Sequence, residues 1–124
     1  MSKIVSTEKA PKAIGPYSQA MIYGNLVFTS GQIPINPESG NIEVSDITAQ
    51  TEQVMKNLGE VLSAAGSSYE KAIKTTCFLA NISDFAAFNE VYSKYFTGKP
   101  ARSCVAVKDL PKSALVEVEV IAEI

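Results

Sequence analysis

Leu115-Val116-Glu117-Val118-Glu119-Val120-Ile121-Ala122-Glu123-Ile124 alternates apolar and charged side chains with a period of two over most of its length. Successive side chains of a strand point to opposite faces, so Val116, Val118, Val120, Ala122 and Ile124 make one wholly apolar face, while Glu117, Glu119 and Glu123 project to the other. Such a strand belongs to a sheet with one buried face, and the covering layer is legible upstream. From Asp46 the period changes: Ile47, Val54, Leu58, Val61 and Ala65 fall at helical spacing, with Asp46 placed to cap the amino end and Gly66 to terminate the helix. A second helix is expected from Asp84 to about Phe96, because Phe85, Phe88, Tyr92 and Tyr95 share a face, Ser83 can cap it, and Gly98 with Pro100 stops it. These aromatics read as core.

The remaining strands are shorter. Ala20 to Tyr23 and Leu26 to Gln32 are β-rich runs separated by Gly24-Asn25, a dipeptide suited to a two-residue hairpin turn. Ala72 to Ala80 places Ile73, Thr75, Cys77 and Leu79 on one face and Lys74, Thr76 and Phe78 on the other, and Ala101 to Val107 precedes the final strand. Pro34 to Ser45 is polar and turn-rich and reads as a surface loop. The order β-β-α-β-α-β-β, without repeats or linkers, implies one α+β domain over residues 1–124, a sheet with two helices on one face. By the same alternation Arg102, Cys104 and Ala106 are expected on the face of Glu117 and Glu119. On spacing alone that face is a solvated surface with a cross-strand ion pair.

Composition removes several chemistries. The chain of 124 residues has no histidine, which excludes Ser-His-Asp and Cys-His nucleophile systems and the histidine-bearing zinc sites. Any general base is then Asp, Glu, Lys, Tyr or Cys. Two cysteines, Cys77 and Cys104, suggest neither a zinc knuckle nor a disulfide framework, and no metal site is expected. No apolar run reaches the length of a membrane span, and Lys3, Glu8 and Lys9 interrupt the region where a secretory signal would be hydrophobic, so a cytoplasmic protein is expected. With 11 basic and 13 acidic side chains, the net charge of −2 lacks the basic footprint that nucleic-acid binding needs.

Several separated segments carry a resemblance: Ile14-Gly15-Pro16-Tyr17-Ser18-Gln19, Ser30-Gly31-Gln32-Ile33-Pro34, Phe88-Asn89, Pro100-Ala101-Arg102-Ser103-Cys104-Val105 and Val116-Glu117-Val118-Glu119. Together, and in this order along nearly the whole chain, they resemble the RidA/YjgF family of reactive-intermediate deaminases. The resemblance implies a chorismate-mutase-like α+β fold assembled as a homotrimer, with sheets facing inward and ligand clefts between subunits. It also implies hydrolysis of 2-imino acids or their enamine tautomers, such as 2-iminobutanoate and 2-iminopropanoate, to 2-oxo acids and ammonia. No metal or organic cofactor is implied.

An iminium carbon is already electrophilic, so such a site has to hold the substrate and orient a water. Arg102 is the expected clamp on the substrate carboxylate, because a planar guanidinium grips both oxygens where lysine offers a point charge. Matched to the family pattern, Glu117 orients or deprotonates the attacking water, and Tyr17 donates a hydrogen bond to ligand or water. Ser30 and Gly31 offer hydroxyl and amide groups near the carboxylate, Asn89 a further polar contact, and Cys104 a lining contact rather than a nucleophile. Taken one at a time, Gly15-Pro16 reads equally as a turn, Ser30-Gly31 as a bulge ending a strand, and Asn89 as an exposed helix residue. Ala106 departs from the pattern, since many relatives carry glutamate there, which puts substrate preference in doubt. The competing reading is a non-catalytic regulatory trimer that senses carboxylate ligands in the same clefts; nuclease activity is the weakest.

Overall fold

The computed structural model of the chain describes all 124 residues. Six strands form one mixed sheet: β1 (Lys3–Val5), β2 (Ala20–Tyr23), β3 (Leu26–Thr29), β4 (Ala72–Leu79), β5 (Ala101–Ala106) and β6 (Val116–Glu123). Their spatial order is β1-β2-β3-β6-β4-β5, and only β4 and β5 run parallel. That pair requires a crossover, which the helix α2 (Phe85–Tyr95) supplies, whereas β2 and β3 are joined by the tight turn at Gly24-Asn25. Gly24 has φ +62°, a left-handed conformation that a residue without Cβ adopts at little cost. The remaining helix, α1 (Ile47–Ala64), packs against α2, β6 and β3.

The alternation of β6 decides which face is inside. Val116, Val118, Val120 and Ala122 are at most 1% exposed and meet Val54, Leu58, Val61 and Leu62 of α1 and Phe88 and Val91 of α2 in one core. Asp46 caps α1 as expected, its carboxylate accepting from the Ala49 amide at 3.2 Å. Gly66, at φ +81°, follows the end of that helix. The α+β domain with two helices on one sheet face is thus present.

Several details differ from the sequence reading. β1 was not expected: it has three residues, of which only Val5 is buried, too few to display a period. Ile73 is 42% exposed because the β4–β6 ladder slips between Ala72 and Lys74, so the alternation that continues through Thr75, Cys77 and Leu79 does not extend back to it. Ser83 does not cap α2; it lies in a 3-10 turn, Ile82–Asp84, that leads into the helix. Ile124 is 40% exposed beyond the end of the ladder.

The largest correction concerns β5. Its parallel register sets Arg102 beside Thr75, Cys104 beside Cys77 and Ala106 beside Leu79, residues of β4 that point at the helices. Arg102, Cys104 and Ala106 therefore lie on the helix-covered side, and Ser103 and Val105 share the open side with Glu117 and Glu119. The sequence reading carried one alternation across two strands as if they were neighbours in phase, but β4 lies between them and the register with β4 sets the phase of each. The expected ion pair across that face does not form; the ion pair in the chain is Lys94–Glu52, at 3.7 Å.

Candidate functional site

A bulge at the end of β3 builds the first half of the site. Phe28 pairs with Ile121, and beyond the strand Gln32 bridges Val118, leaving one residue more on the β3 side than on the β6 side. The Thr29 hydroxyl takes the place of a ladder carbonyl, accepting from the Val120 amide at 3.0 Å. Gln32 and Val118 then exchange backbone hydrogen bonds of 2.9 and 3.2 Å, which pins Gly31 against Glu117. A Cβ at Gly31 would sit 2.8 Å from Glu117 Cδ, so the carboxylate rests on glycine backbone where any larger residue would push it away. Here the glycine serves close approach, not an unusual φ.

Glu117 is half-buried and none of the chain's hydrogen bonds or ion pairs engages its carboxylate. Burial, with the like charge of Glu119 on the same strand face, raises its pKa above the ordinary carboxylate value. It lines a cavity of about 370 Å³ together with Tyr17, Ser30, Gly31, Lys12 and Pro111. Ser30 is tied to the segment that carries Tyr17: its hydroxyl donates to the Ser18 carbonyl at 2.5 Å and its amide to the Gln19 carbonyl at 2.9 Å. Tyr17 itself is 52% exposed at the mouth of the cavity. Four of the expected residues, Tyr17, Ser30, Gly31 and Glu117, thus converge.

The others converge elsewhere. Arg102 donates from Nη1 to Asn89 Oδ1 at 2.7 Å, and its guanidinium carbon lies 4.7 Å from the ring centre of Tyr92 and 5.4 Å from that of Phe85. The Tyr92 hydroxyl is paired with the buried Thr75 hydroxyl at 2.7 Å, which holds the ring in place. A shallower cavity of about 270 Å³ opens beside Arg102, Asn89, Tyr92 and Lys99. Cys104 is half-buried on the same side; burial raises its pKa although Arg102 opposes this, and burial pushes the Cys77 thiol up to about 12. Neither thiol is poised as a thiolate.

The chain therefore carries two candidate half-sites on opposite sides of its sheet. One holds a carboxylate, a phenol, a hydroxyl, backbone amides and Lys12; the other presents an oriented guanidinium, suited to an anion. Sequence reasoning missed Lys12, the second charged residue of the Glu117 cavity, and the Phe85 and Tyr92 platform under Arg102. Phe85 and Tyr92 were placed on one helix face with Phe88 and Tyr95, but aromatics at that spacing describe a core equally well.

The open side of the sheet is unusual for a solvated surface. Ile4, Phe28 and Val105 are 70%, 40% and 46% exposed there, with Met21, Phe78 and Ile121 half-buried beside them. These residues form a broad apolar field of the kind that other surfaces cover.

Comparison with known proteins gives a consistent result. The family described as Endoribonuclease L-PSP matches residues 7–124. The chain is 54% identical over 123 residues to the candidate regulator AldR of Lactococcus lactis subsp. lactis, covering 98% of each protein. It is 46% identical over 121 residues to the 2-iminobutanoate/2-iminopropanoate deaminase of Rattus norvegicus, covering 97% of this chain and 88% of that protein. Its fold superposes on the crystal structure of Escherichia coli TdcF with bound serine with a TM-score of 0.93, at 44% identity and 98% coverage of each chain.

Proposed function

Because the chain belongs to the RidA/YjgF/RutC family, we propose that it hydrolyses 2-imino acids, such as 2-iminobutanoate and 2-iminopropanoate, to 2-oxo acids and ammonia, in clefts between the copies of a homotrimer. The observation that carries this reading is the separation of Arg102 from Glu117. Each sits in a polar half-site, the two half-sites lie on opposite sides of one sheet, and the face beside Glu117 is apolar and uncovered. A ligand that needs both groups takes the guanidinium from one copy and the carboxylate from another, and the apolar face is what the copies bury against each other.

In such a cleft Arg102, already oriented by Asn89 and stacked over Tyr92, binds the substrate carboxylate through both oxygens and holds the imine carbon over Glu117. The Glu117 carboxylate accepts a proton from water as its oxygen attacks that carbon. With the imine protonated, the carboxyl group gives that proton to the carbinolamine nitrogen, the C–N bond breaks as the C=O bond forms, and the carbinol O–H proton passes through the carboxylate to the released ammonia, leaving the 2-oxo acid and ammonium. Tyr17 donates a hydrogen bond to the bound ligand and the Gly31 amide is free to donate beside Glu117, while Ser30, whose hydroxyl and amide protons go to the Ser18 and Gln19 carbonyls, offers its hydroxyl oxygen as an acceptor. Cys104, its thiol kept neutral by burial, lines the cleft. The reaction needs no change of oxidation state, and every step is a proton transfer or a C–O or C–N bond change.

The experiment generates 2-iminobutanoate and 2-iminopropanoate in situ, traps unhydrolysed imine with semicarbazide, and measures 2-oxo acid release with and without the protein. Acceleration is expected; its absence would defeat the enzymatic reading.

A second reading is favoured by the 54% identity to AldR: a regulatory trimer that binds 2-oxo acids or similar carboxylates through Arg102 without turning them over. Glu117→Gln separates the two. In an enzyme it abolishes most turnover and leaves carboxylate binding in place; in a sensor there is no turnover to lose.

A further inference from the structure

We propose that Gln19 is a positioning residue of the Glu117 half-site, acting through one buried side-chain amide that holds the segment from Thr7 to Tyr17 as the wall of the cavity. This rests on the reading of that cavity as a substrate site. The segment has no regular secondary structure and no apolar face of its own: Lys12 and Tyr17 are exposed, and Ile14 is 82% exposed. Ala10 is its one side chain in the core, so packing anchors a single point and polar contacts must fix the rest.

Gln19 is 4% exposed and uses both ends of its amide. Its Oε1 accepts from the Thr7 amide at 2.7 Å, and its Nε2 donates to the carbonyls of Thr7 at 3.0 Å, Ala10 at 3.4 Å and Pro11 at 2.8 Å. Four backbone groups within five residues of chain thus converge on one side chain. The Gln19 main chain is itself fixed to the bulge, its carbonyl accepting from the Ser30 amide at 2.9 Å. Ser30, Gln19 and Pro11, joined by these bonds, all line the cavity, and Pro11, Lys12 and Tyr17 are the part of its wall that the segment contributes.

Glutamine is specified by this arrangement. Glutamate keeps the size but turns the donor end into a second acceptor facing three carbonyls, and methionine keeps the size but makes none of the four bonds. Either change leaves backbone groups of Thr7, Ala10 and Pro11 without partners and frees the wall, while the helices α1 and α2, which make none of these bonds, keep their own packing. A mobile wall weakens binding of ground state and transition state alike, so KM rises with little change in kcat.

The test compares wild type, Gln19→Glu and Gln19→Met by hydrogen exchange and by imine kinetics. Expected in both variants is faster amide exchange confined to residues 7–17, a KM raised on the order of 10-fold and a kcat within about threefold of wild type. Unchanged exchange in that segment would overturn the proposal, as would a mobile segment with unaltered KM, or exchange raised across the whole chain, which marks general destabilisation. If wild type itself turns over no imine, the deaminase reading fails, and the exchange comparison alone decides whether Gln19 holds the wall.

Discussion

Arg102 and Glu117 are held by opposite strategies. The guanidinium is oriented by a hydrogen bond to Asn89 and by two aromatic rings, so its geometry is set before any ligand arrives. Lysine at this position keeps the charge but loses the fork and the stacking. Arg102→Lys is expected to lower kcat/KM for 2-iminobutanoate on the order of 100-fold, and near-normal kinetics would refute the clamp. Glu117, by contrast, is left without a partner and its pKa is raised by burial first and by Glu119 second. Only the ionised carboxylate can accept the proton of water, so activity should fall with acid along a limb that lies above the ordinary glutamate value. Glu119→Gln removes the neighbouring negative charge and should move that limb to lower pH, which a pH profile of kcat measures. The sign for stability is the reverse of a salt-bridged carboxylate. Below the unfolded pKa both states are protonated and Glu117 costs nothing; the cost accumulates as pH rises from the unfolded pKa through the raised folded pKa and is complete above it. Glu117→Gln should therefore unfold at a higher denaturant midpoint at neutral pH and show no gain at strongly acid pH.

At the scale of elements, the bulge between β3 and β6 decides where Glu117 rests. Gly31→Ala places a methyl group against the carboxylate, and since Gln32 and Val118 hold the backbone from both sides the side chain must yield. Turnover is expected to fall on the order of 100-fold while the helical circular dichroism stays at the wild-type level; an active Gly31→Ala would show that the contact does not matter. The same element marks the limit of sequence reading. The two helices, the Gly24-Asn25 hairpin and the buried face of β6 were legible because each repeats a period over enough residues to be recognised. β1 was too short for a period, and the bulges at Thr29 to Gly31 and at Ile73 break one. The side of the sheet taken by Arg102 depends on register with β4, a long-range pairing that no local pattern encodes. Of the candidate site, the family motifs named residues that the structure gathers into clusters, but their division between two sides of the sheet was not legible, because motifs record order along the chain and not the faces of a sheet.

At the scale of the whole molecule, the proposed function has each chain supply half of a cleft on either side of its sheet. Its open sheet face leaves Ile4, Phe28 and Val105 at the surface, and the functional reading assigns that face to contacts between copies. If the cleft draws Arg102 from one subunit and Glu117 from its neighbour, two inactive variants can repair each other. Arg102→Ala chains carry an intact Glu117 half-site, and Glu117→Gln chains carry an intact Arg102 half-site. Co-refolding equal amounts of the two, with mixed assembly verified by distinct tags, should restore imine hydrolysis to about a quarter of the wild-type rate, the share of clefts that receive both intact halves at random. Persistent inactivity in verified mixed trimers, with each variant folded and inactive alone, would contradict a shared site.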